Sequence, residues 1–369
     1  MNEKLAIDAV NVGDEVAATF LINPVEDSGF RFRATHVDGK RAPKVVLSND
    51  RRIRAGVPCR VRITAIRKPN RTDRGSIEVE FVRMDGLKFD GVYVDPIVST
   101  KLQVLLESGL NILLDGPQGC GKTVLARAIA EQLGLEFVFF NCGAVVEATD
   151  FLATLQVRAT DSGQPVTDFI PTDLLTSLIQ AIETPTAQYL VFLDEFNRCP
   201  EHARNVLMPA LDTTRRLFNP IENTFLNIPD NVQFIAAVNR GNQFSGTFGI
   251  DAAQLDRFAP LQMDYLPIVE EVNLLAKRHP ELTRGLIERF VTIANKVRTS
   301  ADLQCGLSVR ATEEVCIYLK HPLIEATQQK MLPEILRSSF CARFPGRWDD
   351  QHSEAGLVWH LIQEWLKSN

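Results

Sequence analysis

Eight residues constrain this chain more than any others: Gly116-Pro117-Gln118-Gly119-Cys120-Gly121-Lys122-Thr123. They spell Gly-x-x-x-x-Gly-Lys-Thr. The apolar run Asn111-Ile112-Leu113-Leu114 precedes them, and Val124-Leu125-Ala126-Arg127-Ala128-Ile129-Ala130, with helical periodicity, follows. A strand, a glycine loop and a helix in that order form the context a phosphate-binding loop needs. Glycines let the backbone close around phosphates, and the loop amides with the helix N-terminus make an anion site. The motif predicts Lys122 on the β- and γ-phosphates of a nucleotide and the Thr123 hydroxyl on Mg²⁺. Residues 116–124, Val124 included, are the candidate nucleotide contacts.

A second anchor lies some seventy residues on, in Tyr189-Leu190-Val191-Phe192-Leu193-Asp194-Glu195. An apolar strand ending in Asp-Glu is the complement that such a loop requires, a Walker B element. Asp194 is expected to hold Mg²⁺ and Glu195 to orient and deprotonate the attacking water. The predicted cofactors are therefore ATP and Mg²⁺.

The pattern around these anchors sets the fold class. Strands are predicted at 111–114, 136–141, 189–193, 232–238 and 261–266, with helices between them after the glycine loop, ending near Gly134, and at 172–183 and 200–211. A hairpin is expected at 155–171 and an irregular insert at 212–230. Alternating helices and apolar strands predict a parallel α/β sheet. From Val269 onward the chain reads as mostly helical. Residues 1–86 look all-β, with strands at 15–22, 30–37, 44–48, 59–67 and 76–83 and turn residues Asn23-Pro24, Asp38-Gly39 and Asp73-Arg74-Gly75. Five short strands fit a small barrel, with an OB-fold as first candidate. The division expected is 1–86 barrel, 87–267 nucleotide-binding core, 268–369 helical lid and C-terminal helices.

Composition narrows the class. With 369 residues, 45% of them hydrophobic and 23% charged, the chain reads as a globular protein of two or three domains. No apolar run approaches the roughly 20 residues of a membrane helix. Met1-Asn2-Glu3-Lys4 does not open a signal peptide, and the scattered cysteines contain no C-x-x-C pair. Reduced thiols and a cytoplasmic location follow as expectations. The net charge of −6 hides fifteen Lys/Arg against five Asp/Glu in residues 31–83, a local +10 that leaves −16 elsewhere. Such asymmetry points to an acidic or polyanionic partner.

With both anchors placed, the chain resembles the AAA+ ATPases from residue 93 to about 320. The resemblance implies an α/β P-loop NTPase core with a helical lid. It implies a sensor-1 role for Asn239 at the end of strand 232–238. It also implies a glutamate-restraining role for Asn141 at the end of strand 136–141. The stretch from Phe244 to Phe258, with Asp256-Arg257-Phe258, is similar to the MoxR/CobS/CbbQ, or dynein-related, branch. That likeness makes Arg257 the arginine finger supplied to a neighbouring subunit. Leu307-Ser308-Val309-Arg310 resembles the branch's sensor-2 motif, with Arg310 on the γ-phosphate. The hairpin 155–171 and the insert 212–230 match the branch's pore- or partner-facing inserts. Cys120 departs from the Thr or Ser more usual in the loop and is expected to be oxidation-sensitive.

The resemblance implies a ring-forming homo-oligomer, a hexamer, that remodels or activates a protein client, of von Willebrand-A type in some relatives. The alternative is a nucleic-acid-dependent motor or defence ATPase. There the basic barrel would bind single-stranded DNA or RNA through Phe20, Phe30 and Phe32 interleaved with Arg31 and Arg33. The same alternation also fits phenylalanines in the core and arginines outside.

Overall fold

The computed structural model describes residues 10–22, 30–42, 46–50, 52–68, 75–87, 89, 91–159, 165–239, 248–304 and 306–368. The turns expected at Asn23-Pro24, Asp73-Arg74 and Asp161-Ser162-Gly163, residue Lys44, and Phe244–Thr247 lie outside these. The chain divides into two compact units. One takes in Met1–Leu114, Thr123–Val238 and Phe248–Leu261; the other takes in Asp115–Lys122, Asn239–Thr247 and Gln262–Asn369.

The first unit begins with a closed barrel. Its strands are β1 (Glu15–Ile22), β2 (Phe32–Val37), β4 (Val46–Ser48), β5 (Cys59–Arg67) and β6 (Ser76–Met84), with the short β3 (Lys40–Arg41) beside β2. The order β1-β5-β6-β4-β2 closes by pairing β1 to β2, and β4 runs parallel to β6. Alternation decides the inside: Val16, Ala18 and Phe20 of β1 and Phe32 and Ala34 of β2 are buried. Breaks in register at Thr19/Phe20 and in β5–β6 give the bend a small barrel needs. β2 starts at Phe32, not at Phe30 as expected, because the Arg31 amide donates to Asn49 Oδ1 at 2.7 Å instead of joining the ladder.

Helix α1 (Pro96–Glu107) follows. Asp95 caps it through Oδ1, and Pro96 sits at the first position, where no amide is needed. The central sheet has the order β15-β7-β14-β11-β8, from β7 (Ile112–Gly116), β8 (Glu136–Asn141), β11 (Tyr189–Asp194), β14 (Val232–Asn239) and β15 (Ala259–Gln262). β11 lies parallel to both β8 and β14. β14 is buried along its whole length, as befits a strand covered on both faces. The crossovers use α2 (Lys122–Leu133), closed by Gly134 at φ +62°, and α3 (Asp173–Glu183), capped by Thr172. Strands β9 (Ala153–Ala159) and β10 (Pro165–Pro171) form the expected hairpin.

Three expectations need correction. The insert 212–230 is not irregular: β12 (Arg216–Asn219) and β13 (Thr224–Asn227) pair as a hairpin, with Phe218 and Phe225 edge-to-face at 5.3 Å. The helix expected at 200–211 is broken into α4 (Glu201–Arg204), a 3₁₀ turn at 205–207, and α5 (Met208–Leu211), where Pro209 has no amide to continue a longer ladder. The last strand runs over 259–262, not 261–266, since its bonds to β7's strand run from Ala259 N to Met263 N. Helix α6 (Ala252–Leu255) precedes it.

The second unit is chiefly helical: α7 (Ile268–Arg278), α8 (Arg284–Arg298), α9 (Val309–Leu319), α10 (Pro322–Glu325), α11 (Gln328–Phe340) and α12 (Glu354–Ser368). Its core includes Phe290, Leu336, Phe340, Val358, Ile362 and Trp365, so the C-terminal helix packs into this bundle through its i, i+4, i+7 stripe. A buried ion pair lies inside it. Arg298 meets Glu271 across α8 and α7, with Nη2 to Oε1 at 3.0 Å, and Thr312 of α9 donates to the same carboxylate at 2.6 Å. Breaking such a pair leaves an uncompensated charge, so the network fixes how α9 begins. Among the described residues no helix is long and apolar enough to cross a membrane.

Candidate functional site

The glycine loop is shaped by contacts that a side chain would obstruct. A Cβ on Gly116 would stand 2.6 Å from the Met263 carbonyl oxygen, and one on Gly119 2.3 Å from Ser308 Cβ. Gly119 and Gly121 have φ of +76° and +96°, the left-handed region that glycine adopts without strain. Around Gly121 nothing lies within 4 Å, so there only the backbone dihedral demands glycine. Lys122 folds back over the loop, and its Nζ donates to the carbonyls of Gly116 and Pro117, each at 2.9 Å. The lysine is buried and held, an ammonium placed over the loop for an anion. Gln118 and Val124 are exposed, and Cys120 is buried, with Lys122 Nζ 3.9 Å from its Sγ.

At the first turn of α2, Thr123 Oγ1 donates to Asp194 Oδ2 at 3.2 Å, joining loop helix and strand β11. The other carboxylate oxygen of Asp194 accepts the Glu195 amide at 2.9 Å. These are hard oxygen donors of the kind that Mg²⁺ takes. Glu195 stands at φ +52°, ψ 39°, a left-handed conformation that costs a residue with a Cβ about 1–2 kcal/mol. It heads the 3₁₀ turn Phe196–Arg198, and its Oε2 lies 3.2 Å from Arg198 Nη1.

Asn141 ends β8, directly beside Asp194 in the ladder. Its Oδ1 accepts the Gly143 amide at 2.9 Å, so the side chain caps its own turn. Asn239 ends β14 and is buried. Arg257 follows α6 and turns its Nη1 back onto the Ala253 carbonyl; its Nε is buried with no hydrogen-bond partner. Arg310 is exposed on the first turn of α9, whose N-cap Ser308 is the residue pressed against Gly119. The folded chain therefore joins Thr123 to Asp194 and sets Asn141, Gly143, Glu195 and Arg198 together. It keeps Arg257 on its own helix.

Residues 111–258 match the family described as "AAA domain (dynein-related subfamily)". "Putative chaperone BssE" of Thauera aromatica is 32% identical over 206 residues, 55% of this chain and 67% of that protein. The chain belongs to the dynein-related subfamily of AAA domains. "Uncharacterized protein SSP1341" of Staphylococcus saprophyticus is 28% identical over 56% of this chain and 74% of its own length. Among solved structures, the Thermotoga maritima RuvB Holliday junction branch migration motor aligns at 18% identity and a TM-score of 0.42, covering 68% of this chain and 72% of that one. The family match makes the protein an AAA-type ATPase with a P-loop NTPase core, and a five-stranded barrel precedes that core.

Within this AAA domain, burial pushes the Cys120 thiol up, although Lys122 pulls the other way. A thiol kept protonated is a poor nucleophile, which weakens the oxidation expected for it. Sequence reading missed three residues of the site. Arg198 was legible only as the fourth residue of a turn headed by Glu195; Gly143 and Ser308 carry no signal beyond small size.

The barrel that precedes the AAA domain decides between the two readings of its alternating residues for Phe20 and Phe32. Phe20 and Phe32 are core residues, 0% and 1% exposed, and offer no stacking platform. Several of the basic residues are committed inside the chain. Arg62 pairs with Glu15 at 2.7 Å, Arg67 with Glu78 at 3.3 Å, Arg60 with Asp85 at 3.6 Å and Arg52 with Asp50 at 2.6 Å. Arg31 donates to the Pro185 carbonyl at 2.7 Å and Arg54 to Gln188 Oε1 at 3.0 Å, both just before β11. Burial, with Arg31's charge beside it, pulls the Arg54 guanidinium down to about 10.

Proposed function

We propose that the protein hydrolyses Mg-ATP to ADP and phosphate in a homo-oligomeric ring, a hexamer, and uses the cycle to remodel or activate a client protein, as a MoxR-like chaperone does. The observation that carries the reading is the Thr123–Asp194 contact at the end of β11, with Glu195 next in the chain. The loop amides of residues 116–123 and Lys122 would hold the phosphates, and Thr123 and Asp194 would hold Mg²⁺, which neutralises charge developing on the transferred phosphoryl group. Glu195 accepts the proton of the water that attacks the γ-phosphorus. Asn239 and Arg310 would orient the γ-phosphate, and Arg257, once released from Ala253, would serve the neighbouring subunit's site.

In this reading 1–86 is an OB-like barrel, 87–267 the nucleotide core and 268–369 the lid, and the protein acts in the cytoplasm. The relative named "Putative chaperone BssE" supports a protein client, which could be of von Willebrand-A type. Arg31, Arg52, Arg54, Arg60, Arg62 and Arg67 of the barrel support it too, since each meets an acid, a carbonyl or an amide oxygen of the chain itself. The nucleic-acid alternative finds no stacking surface in Phe20 or Phe32. Glu195→Gln tests the chemistry: nucleotide binding should persist while steady-state hydrolysis falls about 10²–10⁴-fold, the usual share of a general base. Wild-type turnover in that variant would sink the reading.

A further inference from the structure

Helix α6, the short element just before Arg257, turns the ordinary burial pattern inside out. Of its four residues Gln254 alone is buried, at 1% exposed, while Leu255 stands 43% exposed. A helix that hides its glutamine and shows its leucine is seated by polar contacts, since burial favours apolar side chains. One turn of helix is too short to hold itself, so its direction comes from outside. Gln254 Nε2 donates to Asn205 Oδ1 at 2.9 Å and to the Glu201 carbonyl at 3.3 Å, on α4 and the residue that follows it. Arg204 of α4, 0% exposed, donates its Nη2 to the Gly249 carbonyl at 2.5 Å. The Phe248 amide donates to the Asn197 carbonyl at 2.7 Å, and Phe258 meets Phe196 edge-to-face at 5.6 Å. All of these partners lie in residues 196–205, the segment that starts next to Glu195. Asn111 secures the far end, with Nδ2 on the Arg257 carbonyl at 3.1 Å.

We propose that Gln254 is a positioning residue for Arg257: it fixes α6 on the segment that follows Glu195, and so sets where the guanidinium stands for a neighbouring subunit. The proposal rests on the reading of Arg257 as that subunit's arginine finger. An amide suits this task better than a leucine would. Apolar contact is non-directional and lets a short helix roll, whereas two N–H bonds to particular oxygens fix its rotation. Arg257 lies three residues beyond Gln254, and its amide donates to the Gln254 carbonyl at 3.4 Å, so a roll of α6 moves it directly. Gln254 touches no reacting group itself; it acts through Arg257.

The test is the steady-state kcat and KM for ATP of the full chain and its variants, each with ADP binding by calorimetry and a melting temperature. Gln254→Leu roughly keeps the volume and removes both donors. Its kcat should fall about ten- to hundredfold, the scale of a catalytic group that is present but misplaced, with ADP affinity unchanged. Arg257→Ala, which removes the group, should fall further, about 10³-fold or more. Subunit mixing separates positioning from a general loss of structure. Gln254→Leu subunits keep an intact pocket and Lys122→Ala subunits an intact finger, so rings shown to contain both should regain hydrolysis. Rings of Gln254→Leu with Arg257→Ala should not. Asn205→Ala removes the acceptor of the shorter bond and should lower kcat several-fold, with no further loss when added to Gln254→Leu. Wild-type kcat in a folded Gln254→Leu protein overturns the proposal, as does a loss that Lys122→Ala subunits fail to restore or one that Asn205→Ala deepens. Should Gln254→Leu fail to fold, Asn205→Ala decides: a loss restored by Lys122→Ala subunits supports the positioning, and wild-type kcat or an unrestored loss overturns it. Wild-type hydrolysis by Arg257→Ala would instead remove the reading of the finger beneath it.

Discussion

The glycine loop and the N-terminal barrel both concentrate positive groups, yet they use them in opposite ways. In the loop the positive groups are backbone amides and one lysine, all within eight consecutive residues, and Lys122 is anchored on carbonyls five and six residues away. Chain connectivity alone brings them together. In the barrel Arg62 and Arg67 meet Glu15 on β1 and Glu78 on β6, and Arg31 meets Pro185, 154 residues on, while Arg52 pairs locally with Asp50. A charge count along the chain sees fifteen bases and five acids in residues 31–83, but two of the acids facing those bases, Glu15 and Asp85, stand outside that window. A local motif is legible because its geometry is local, whereas a surface charge acquires meaning only when its neighbours are known.

Phe32→Ala would test that contrast most severely. A fully buried phenylalanine in a barrel core should cost about 3–5 kcal/mol, read as a lowered denaturation midpoint of the full chain. An unchanged midpoint with loss of binding to single-stranded DNA would reverse the comparison and make the barrel a reader after all. The loop glycines come next. Gly119→Ala and Gly121→Ala each put a Cβ in the left-handed region, at about 1–2 kcal/mol. Gly119→Ala also drives it into Ser308, whereas Gly121→Ala meets nothing within 4 Å. The first should therefore weaken nucleotide binding and lower the melting temperature more than the second, and equal losses would argue that the Ser308 contact is incidental. The smallest effect belongs to the surface pairs. Arg62→Ala, which frees Glu15 and Glu80, should lower the denaturation midpoint only slightly, and less at high salt. A loss several times larger would mean that the barrel's ion pairs act as a network.

The sequence by itself determined the elements whose causes are short-range. The loop glycines follow from backbone dihedrals, and Pro96 after Asp95 starts α1 because a cap and a missing amide act within one turn. The apolar runs of β11 and β14 gave a buried parallel sheet, since a strand covered on both faces has no polar side to show. Tertiary structure decided what the period of two leaves open. Phe32 and Arg33 alternate identically whichever face is inside, and only closure of β1 on β2 put the phenylalanine in the core. It made a hairpin of 212–230 through the Phe218–Phe225 pair across the strands. It set Arg198 Nη1 3.2 Å from Glu195 and turned the Asn141 oxygen onto the Gly143 amide, contacts that gather at one place because β8 lies beside β11. A chain lists its hydrogen-bonding groups, but competition among them is settled by distance, and distance between remote residues exists only in the folded protein.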